Sequence, residues 1–422
     1  MKRFSADFET ATWFTDRTYV WAWAVCEIGN EENIVIENSI DSFMKYCEKQ
    51  KNATFYFHNL KFDGSFILDW LLRNNFKFVK DRKEAETESF TTLISDFGAF
   101  YQITVYFKKQ GKKVIKATFI DSLKIIPFSV SEIAKAFDLP ESKLTLDYKK
   151  ERSEFHTLTK EEKEYIKNDV VIVSKALNLL FGEDLIKMTA GSNALSDFRK
   201  ILTDKRFKHY FPQIEADIDK DLRKAYKGGF TYLNPIYKEK DIGSGVVLDV
   251  NSLYPSVMYE KELPYDLPLF FEGKYKNDKV YNLYIQMFSC EFKLKKNKIP
   301  TIQIKNDRFH FRQNEYLESS KGEEVILTLT NVDLKLFFEQ YEVTNINYLC
   351  GWKFKSINGI FKDYIEKWIG RKIKASKEKN KGQRTLAKLM LNRTLWKICN
   401  IAYRYFKDST NGFFRNSYIQ EW

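Results

Sequence analysis

The segment HTLTKEEKEYIKNDVVIVSKALNLLF, residues 156–181, leaves little room for anything but a long amphipathic helix. Thr159 and Glu162 stand three apart, the spacing of a capping box in which a hydroxyl and a carboxylate each satisfy a free N–H of the first turn. Ile166, Val170, Val173, Leu177 and Leu180 then recur every three or four residues and draw an apolar stripe. Such a stripe must be covered by a sheet or by other helices. The chain supplies a sheet upstream: YVWAWAVCEI, ATFYFHNL, FYQITVYF and KATFIDSL are rich in β-branched and aromatic residues. Residues 1–190 therefore read as an α/β domain.

That helix also carries Tyr165 and Asp169, four apart and so on one face. A second acidic feature opens the chain, where SADFETATWF places Asp7 and Glu9 two apart in a strand-like run. Alternation puts both on one face, roughly 6–7 Å apart. Two carboxylates that close repel, so either the face is wet or a cation lies between them, and the pattern alone leaves both open. A third acid, Asp63 in FHNLKFDGSF, precedes Gly64, where a missing side chain permits a tight bend or a close backbone approach. Taken singly, each of these acids reads as an ordinary surface residue.

Downstream, AYKGGFTYLN and GVVLDVNSLYPSVMYE form a second unit, the latter reading as a buried strand that enters a turn and a helix primed by Pro255. Residues 261–355 are strand-rich and show no catalytic cluster. From 356 to 392 the pattern turns helical and very basic, as in FKDYIEKWIGRKIKASKEKNKGQRTLAKLMLN. Lys and Arg number 69 against 57 Asp and Glu, a net charge of +12, which favours a polyanionic partner over mere solubility when 16% of residues are aromatic. The five cysteines contain no C-x-x-C pair, which argues against a zinc site or a disulfide framework. The N-terminus lacks the apolar core of a signal peptide and no uncharged run approaches a membrane span, so a cytoplasmic, soluble chain is expected.

In order, D-x-E in DFE, N-x-x-x-D in NLKFD and Y-x-x-x-D in YIKND resemble the three motifs of the 3′-5′ exonuclease domain of family B DNA polymerases. HNLKFDGSF and YIKND are similar, more narrowly, to the protein-primed polymerases of small tailed bacteriophages. The resemblance extends nearly to Asn392. It implies a ribonuclease H-like exonuclease domain over 1–190, the first part of a polymerase palm over 191–260, a terminal-protein-region insertion over 261–355 and fingers over 356–392. The fold class is then α/β and α+β, multidomain. Phosphodiester cleavage needs an activated water and a stabilised leaving oxygen, which a pair of divalent ions can supply. By the resemblance, Asp7, Glu9, Asp63 and Asp169 hold two Mg²⁺ or Mn²⁺ ions, hard cations suited to oxygen ligands, and Tyr165 orients the water. Lys143 matches a catalytic lysine. Thr10, His58, Asn59, Phe62, Ser122 and Leu123 match positions that grip a frayed 3′ end. Without the resemblance, His58 and Phe62 would read as core residues.

DVNSLYP is similar to motif A of the polymerase site, which implies that Asp249 and the Val250 carbonyl bind a second pair of metal ions. Ser252 and Tyr254 would meet the incoming nucleotide, Tyr254 lying under its sugar. Tyr226, Gly228 and Gly229 match a Y-x-G-G segment that contacts template. Lys372, Arg384, Lys388 and Asn392 match triphosphate and template ligands of the fingers, although a charge run is ordinarily a solvated face. Implied partners are single-stranded and primer-template DNA, deoxynucleoside triphosphates and a terminal protein primer. A monomer in the cytoplasm of a bacterial host, encoded by a phage or prophage, is expected.

After LMLN the family continues S-L-Y-G-K-F, whereas this chain reads RTLWKICN. Codons such as AGA-ACT-TTA-TGG-AAA-ATT-TGC, shifted by one base, would read Glu-Leu-Tyr-Gly-Lys-Phe. Residues 393–422 are therefore expected to be a frameshifted or unspliced tail. The chain contains no D-T-D segment for a second polymerase carboxylate, so polymerisation by this chain alone is expected to be lost. A catalytically idle DNA- or terminal-protein-binding remnant is the alternative; a stand-alone repair nuclease would not explain DVNSLYP.

Overall fold

In a computed structural model, residues 2–11, 18–110, 113–250, 252–303 and 315–398 are described. Most of the tail at 393–422 thus lies outside the described residues. Two compact units emerge, one over Met1–Asp197 and Glu366–Lys397, the other over Phe198–Ile365. This division by packing is coarser than the motif-based segments and does not bear on their boundaries.

The first unit runs β1 (Arg3–Thr10), β2 (Val20–Glu27), β3 (Asn30–Glu37), α1 (Ile40–Lys49), β4 (Thr54–Phe57), α2 (Leu60–Arg73), β5 (Lys77–Phe78), β6 (Ser89–Ile94), β7 (Phe100–Gln110), β8 (Lys113–Asp121), α3 (Val130–Ala136) and α4 (Lys160–Gly182). The strands form one mixed sheet in the order β3-β2-β1-β4-β8-β7-β6-β5. At its centre β1, β4 and β8 are parallel neighbours, and their register aligns Ala6, Phe57 and Asp121.

Alternation along β1 explains the layers. Phe4, Ala6 and Phe8 join Phe43, Phe55, Phe57 and Phe119 in a core under α1 and α2. Ser5, Asp7 and Glu9 point to the other face, where Ser5 Oγ donates to Val170 O of α4 at 2.7 Å. Tyr165, Ile166 and Val170 of α4 pack there on Trp21, Ala22 and Ala24 of β2. Each large apolar side chain buried in this way contributes roughly 1.5–3 kcal/mol, so the sheet is held from both sides. The expected stripe of α4 is buried throughout, and both halves of the Thr159–Glu162 capping box form. Of the two roles open to Gly64, a bend or a close approach, the structure shows the second. Gly64 lies inside α2, and a Cβ there would come within 3.1 Å of Ile103 Cδ1, so its value is close approach of helix to sheet.

The chain continues with α5 (Ala190–Leu202), α6 (Asp204–Tyr210), α7 (Ala216–Arg223), α8 (Leu253–Glu260), β9 (Leu263–Glu272), β10 (Leu283–Leu294), β11 (Val325–Thr330), α9 (Asn331–Gln340) and β12 (Tyr341–Ile357), then α10 (Lys362–Lys377) and α11 (Lys381–Ile398). A four-stranded sheet, β11-β10-β12-β9, backs onto α9 through Phe288, Phe292 and Phe337. The expected buried strand at VVLDV does not form: Val247 is 98% and Leu248 89% exposed, with no strand assigned there. An apolar run becomes a buried strand only when neighbours pair with it, and none of the described strands does. No described helix is long and apolar enough to cross a membrane.

Candidate active site

The parallel centre of the sheet sets the site. Where β4 ends at Phe57, β1 continues through Asp7 to Glu9, and α2 begins at Leu60 with Asp63 in its first turn. A register shift between Glu9 and Thr10 ends the regular pairing of β1 with β2, a local irregularity of the kind that re-aims a side chain. The Ser5–Val170 bond brings the adjoining turn of α4, and with it Asp169, to the same face as Asp7 and Glu9. Crevices at the carboxyl ends of parallel strands are the usual ligand sites of α/β sheets.

The electrostatics show that four carboxyls, distant in sequence, share one environment. Burial, then the charge of Asp169, pushes Asp7 up from 3.8 to about 7. Burial, then Asp7 and Asp169, drives Glu9 well above its ordinary value. Burial and Asp7 do the same to Asp63, partly opposed by its own and the Phe8 backbone amides. Asp169 is raised by burial against the pull of Lys143, whose Nζ lies 3.1 Å from Asp169 Oδ2. Asp63 Oδ1 and Asp169 Oδ1 are buried without hydrogen-bond partners. Buried oxygens left unpaired are costly, and a cluster of acids forced toward protonation is stabilised by cations. No three His, Cys, Asp or Glu side chains among the described residues form a ready-made metal cage. The donor chemistry nonetheless fits hard divalent ions, since every candidate ligand is a carboxylate oxygen.

Tyr165 is buried on α4, and its hydroxyl is 2.5 Å from that of Tyr148. Burial, the Tyr148 bond and the charge of Glu9 hold its phenol protonated far above the usual range. Lys143 stays charged: burial opposes this, but Asp169 and Asp7 outweigh it and raise its affinity for a proton.

The residues matched to 3′-end binding lie on the segments next to these carboxyls. Phe62 is 49% exposed on α2 with its ring edge on Phe66. Asn59 is exposed at the α2 cap, and Thr10 is buried at the end of β1, its carbonyl accepting from Trp21 Nε1 at 3.1 Å. His58 already has both ring nitrogens engaged, Nε2–H donating to Phe128 O at 2.6 Å and Nδ1 facing Ser122 Oγ at 3.0 Å. Burial lowers its basicity, as expected for an imidazole that ties two loops together. Ser122 Oγ also lies 2.9 Å from Phe57 O, so its one hydroxyl proton is shared between that carbonyl and His58 Nδ1, and Leu123 follows half-buried.

Sequence reasoning missed three supports. Arg152, enclosed beside Trp21, bonds Glu162 through Nε at 2.7 Å and braces the segment that carries Tyr148. Tyr148 itself, and Asp121 at the end of β8, reach the site only through nonlocal contacts. The acid in FIDS was the available signal for Asp121.

The second constellation is open. Asp249 and Val250 are exposed, Ser252 adopts φ 53° before α8, and Tyr254 is 56% exposed. Tyr226, Gly228 and Gly229 are likewise exposed, and a Cβ on Gly229 would lie 3.9 Å from the Tyr254 hydroxyl, so the Y-x-G-G segment adjoins motif A. On α11, Arg384, Lys388 and Asn392 fall on one exposed stripe opposite buried Leu386, Met390 and Ala387. Lys372 is half-exposed on α10.

The sequence profile of DNA polymerase type B, organellar and viral, matches residues 44–396. The DNA polymerase of Bacillus phage Nf is 49% identical over 399 residues, covering 94% of this chain and 68% of that protein. That of Bacillus phage phi29 is 47% identical with the same coverage, and that of Streptococcus phage Cp-1 is 31% identical over 410 residues, 92% of this chain and 68% of that protein. Phi29 DNA polymerase complexed with primer-template DNA and incoming nucleotide superposes with a TM-score of 0.86 at 46% identity, covering 93% of this chain and 68% of that one. Its post-translocation complex with primer-template DNA gives a TM-score of 0.87 over 93% of this chain and 67% of that one.

Proposed function

This chain belongs to the organellar and viral type B DNA polymerases, in the protein-primed branch of small tailed phages, and from that premise we propose that its first unit is a metal-dependent 3′-5′ exonuclease. One observation carries the reading. Four carboxyls from β1, α2 and α4 gather at the carboxyl edge of the parallel strands, Asp169 acting on Asp7 and Glu9, and Asp7 and Glu9 on Asp63, with two oxygens left unpaired.

Divalent ions, which family B polymerases use, would supply the charge that makes water nucleophilic and stabilises the departing 3′ oxygen. Asp7, Glu9, Asp63 and Asp169 would hold them. The chain's own residues do the rest. Tyr165, held neutral, orients the attacking water. Lys143 stays cationic beside Asp169 and counters charge that builds on the phosphate. Phe62 offers an exposed ring to the terminal base, and Asn59, Thr10 and Leu123 frame the end of the strand. His58 and Ser122 fix the loop between β4 and α2 against the turn after β8.

The palm, insertion and fingers supply partners, and these 422 residues alone are expected not to extend a primer. Asp249 has no D-T-D companion in the sequence, and one carboxylate cannot hold a metal pair in geometry. Primer-template DNA, deoxynucleoside triphosphates and a terminal protein remain the expected ligands of the palm, insertion and fingers. The decisive assay incubates the purified chain with Mn²⁺ and either a single-stranded oligonucleotide or a primer-template with nucleotides. Loss of 3′ nucleotides without extension, abolished by Asp7→Ala with Glu9→Ala, supports the reading. Binding without any trimming selects the idle remnant, and extension contradicts the loss of polymerisation.

A further inference from the structure

Asp121 has no role in the chemistry above, yet its carboxylate is where two loops meet. It closes β8 beside Phe57, the last residue of β4, and is only 2% exposed. Its Oδ1 accepts the backbone N–H of Asn59 at 3.2 Å and that of Leu123 at 3.0 Å. Asn59 sits at φ 85°, in the left-handed region that L side chains enter at a cost, and its own side chain makes no capping bond to α2. Leu123 lies in the short turn Ser122–Lys124 that follows β8. One buried anion thus gathers the backbone of both segments that frame the crevice, and it holds Asn59 in a strained conformation with its side chain turned out to solvent.

We propose that Asp121 is a positioning residue for the 3′ end: it sets Asn59 and Leu123 to receive the terminal nucleotide without touching that nucleotide itself. The proposal rests on the exonuclease reading of the site. It differs from a plain turn cap in what it predicts. A cap would change stability alone, whereas a positioning anion changes how tightly a free 3′ end is held and leaves the chemistry at the four carboxyls as it was.

The test uses the full chain with Asp121→Ala and Asp121→Asn. Two measurements are made on a short oligothymidylate: KM and kcat for Mn²⁺-dependent trimming, and affinity by fluorescence anisotropy with Ca²⁺ in place of Mn²⁺. Asp121→Ala should raise KM and weaken binding on the order of tenfold, the loss of about one hydrogen bond to a charged acceptor, with kcat within about threefold. Asp121→Asn keeps an acceptor oxygen without the charge, so its KM should rise by an intermediate amount, about threefold. Should Asp121→Ala fail to fold, the Asn variant decides, and a KM equal to wild type overturns the proposal. A fall in kcat at constant KM, or unchanged anisotropy in the Ala variant, also overturns it. If the wild-type chain trims nothing, the nuclease reading fails, while the anisotropy comparison still tests the role of Asp121.

Discussion

Replacing Asp7 by Asn should stabilise the metal-free protein at alkaline pH while destroying the proposed nuclease activity. Asp7 is raised from 3.8 to about 7 by burial and then by the charge of Asp169. Between those values the unfolded chain has released its proton and the folded chain has not, so the unfolded state binds fewer protons and stability falls as pH rises. The penalty is complete above about 7 and absent below 3.8. At 1.36 kcal/mol per tenfold, the interval converts to about 4 kcal/mol. Asp7 keeps part of its surface open to solvent, so screening reduces this toward about 2 kcal/mol. Removing its charge also relieves Glu9 and Asp63, both of which Asp7 pushes upward. For a unit of this size, 2 kcal/mol corresponds to roughly 4–8 °C in Tm. The assay is thermal or urea unfolding in EDTA at pH 5 and pH 8, followed by tryptophan fluorescence. The Asn variant should gain most at pH 8 and little at pH 5, and saturating Mg²⁺ should stabilise wild type more than the variant. A variant that is neutral or weaker at pH 8, or a gain independent of pH, would refute the claim that Asp7 ionises inside an acidic cluster.

Other perturbations follow from the same contacts. Glu162→Gln should cost about 3 kcal/mol at pH 7, because it leaves the enclosed Arg152 guanidinium without its partner. Burial opposes ionisation of Glu162, but Arg152, His156 and the Thr159 amide hold it at about 2, so the contribution is whole above 4.5 and disappears as pH falls toward 2 in unfolding curves. Phe62→Ala should leave the melting curve nearly unchanged, since the ring is half out in solvent, while raising KM for single-stranded ends about tenfold through lost stacking. Lys143→Ala should lower kcat about 10²-fold with little change in KM, the signature of charge stabilisation lost in the transition state; single-turnover kinetics at saturating DNA measures it.

What was legible in the sequence was what is local or strictly ordered. The Thr159–Glu162 box and the α4 stripe are set by neighbours three or four residues away, and both formed as expected. The shared face of Asp7 and Glu9 follows from strand alternation alone. Their approach to Asp63 and Asp169 was accessible only through motif order, because nothing in the spacing of residues 9, 63 and 169 reveals that β1 and β4 run parallel. The run VVLDV shows the converse limit. Its composition reads as a core strand, but pairing is a property of neighbours, and no described strand lies beside it. The partners of Asp121 and Arg152 were hidden for the same reason: one acts on the backbone of residue 59 from a distant strand, the other on a carboxylate already assigned to a cap.

The central claim, that these carboxyls cage a pair of ions, is tested most directly by electron paramagnetic resonance during Mn²⁺ titration. Two ions roughly 3.5–4 Å apart are spin-coupled, so wild-type protein should show a coupled spectrum that Asp7→Ala with Glu9→Ala erases. An uncoupled signal in wild type, or a coupled one that survives the double substitution, would contradict the account.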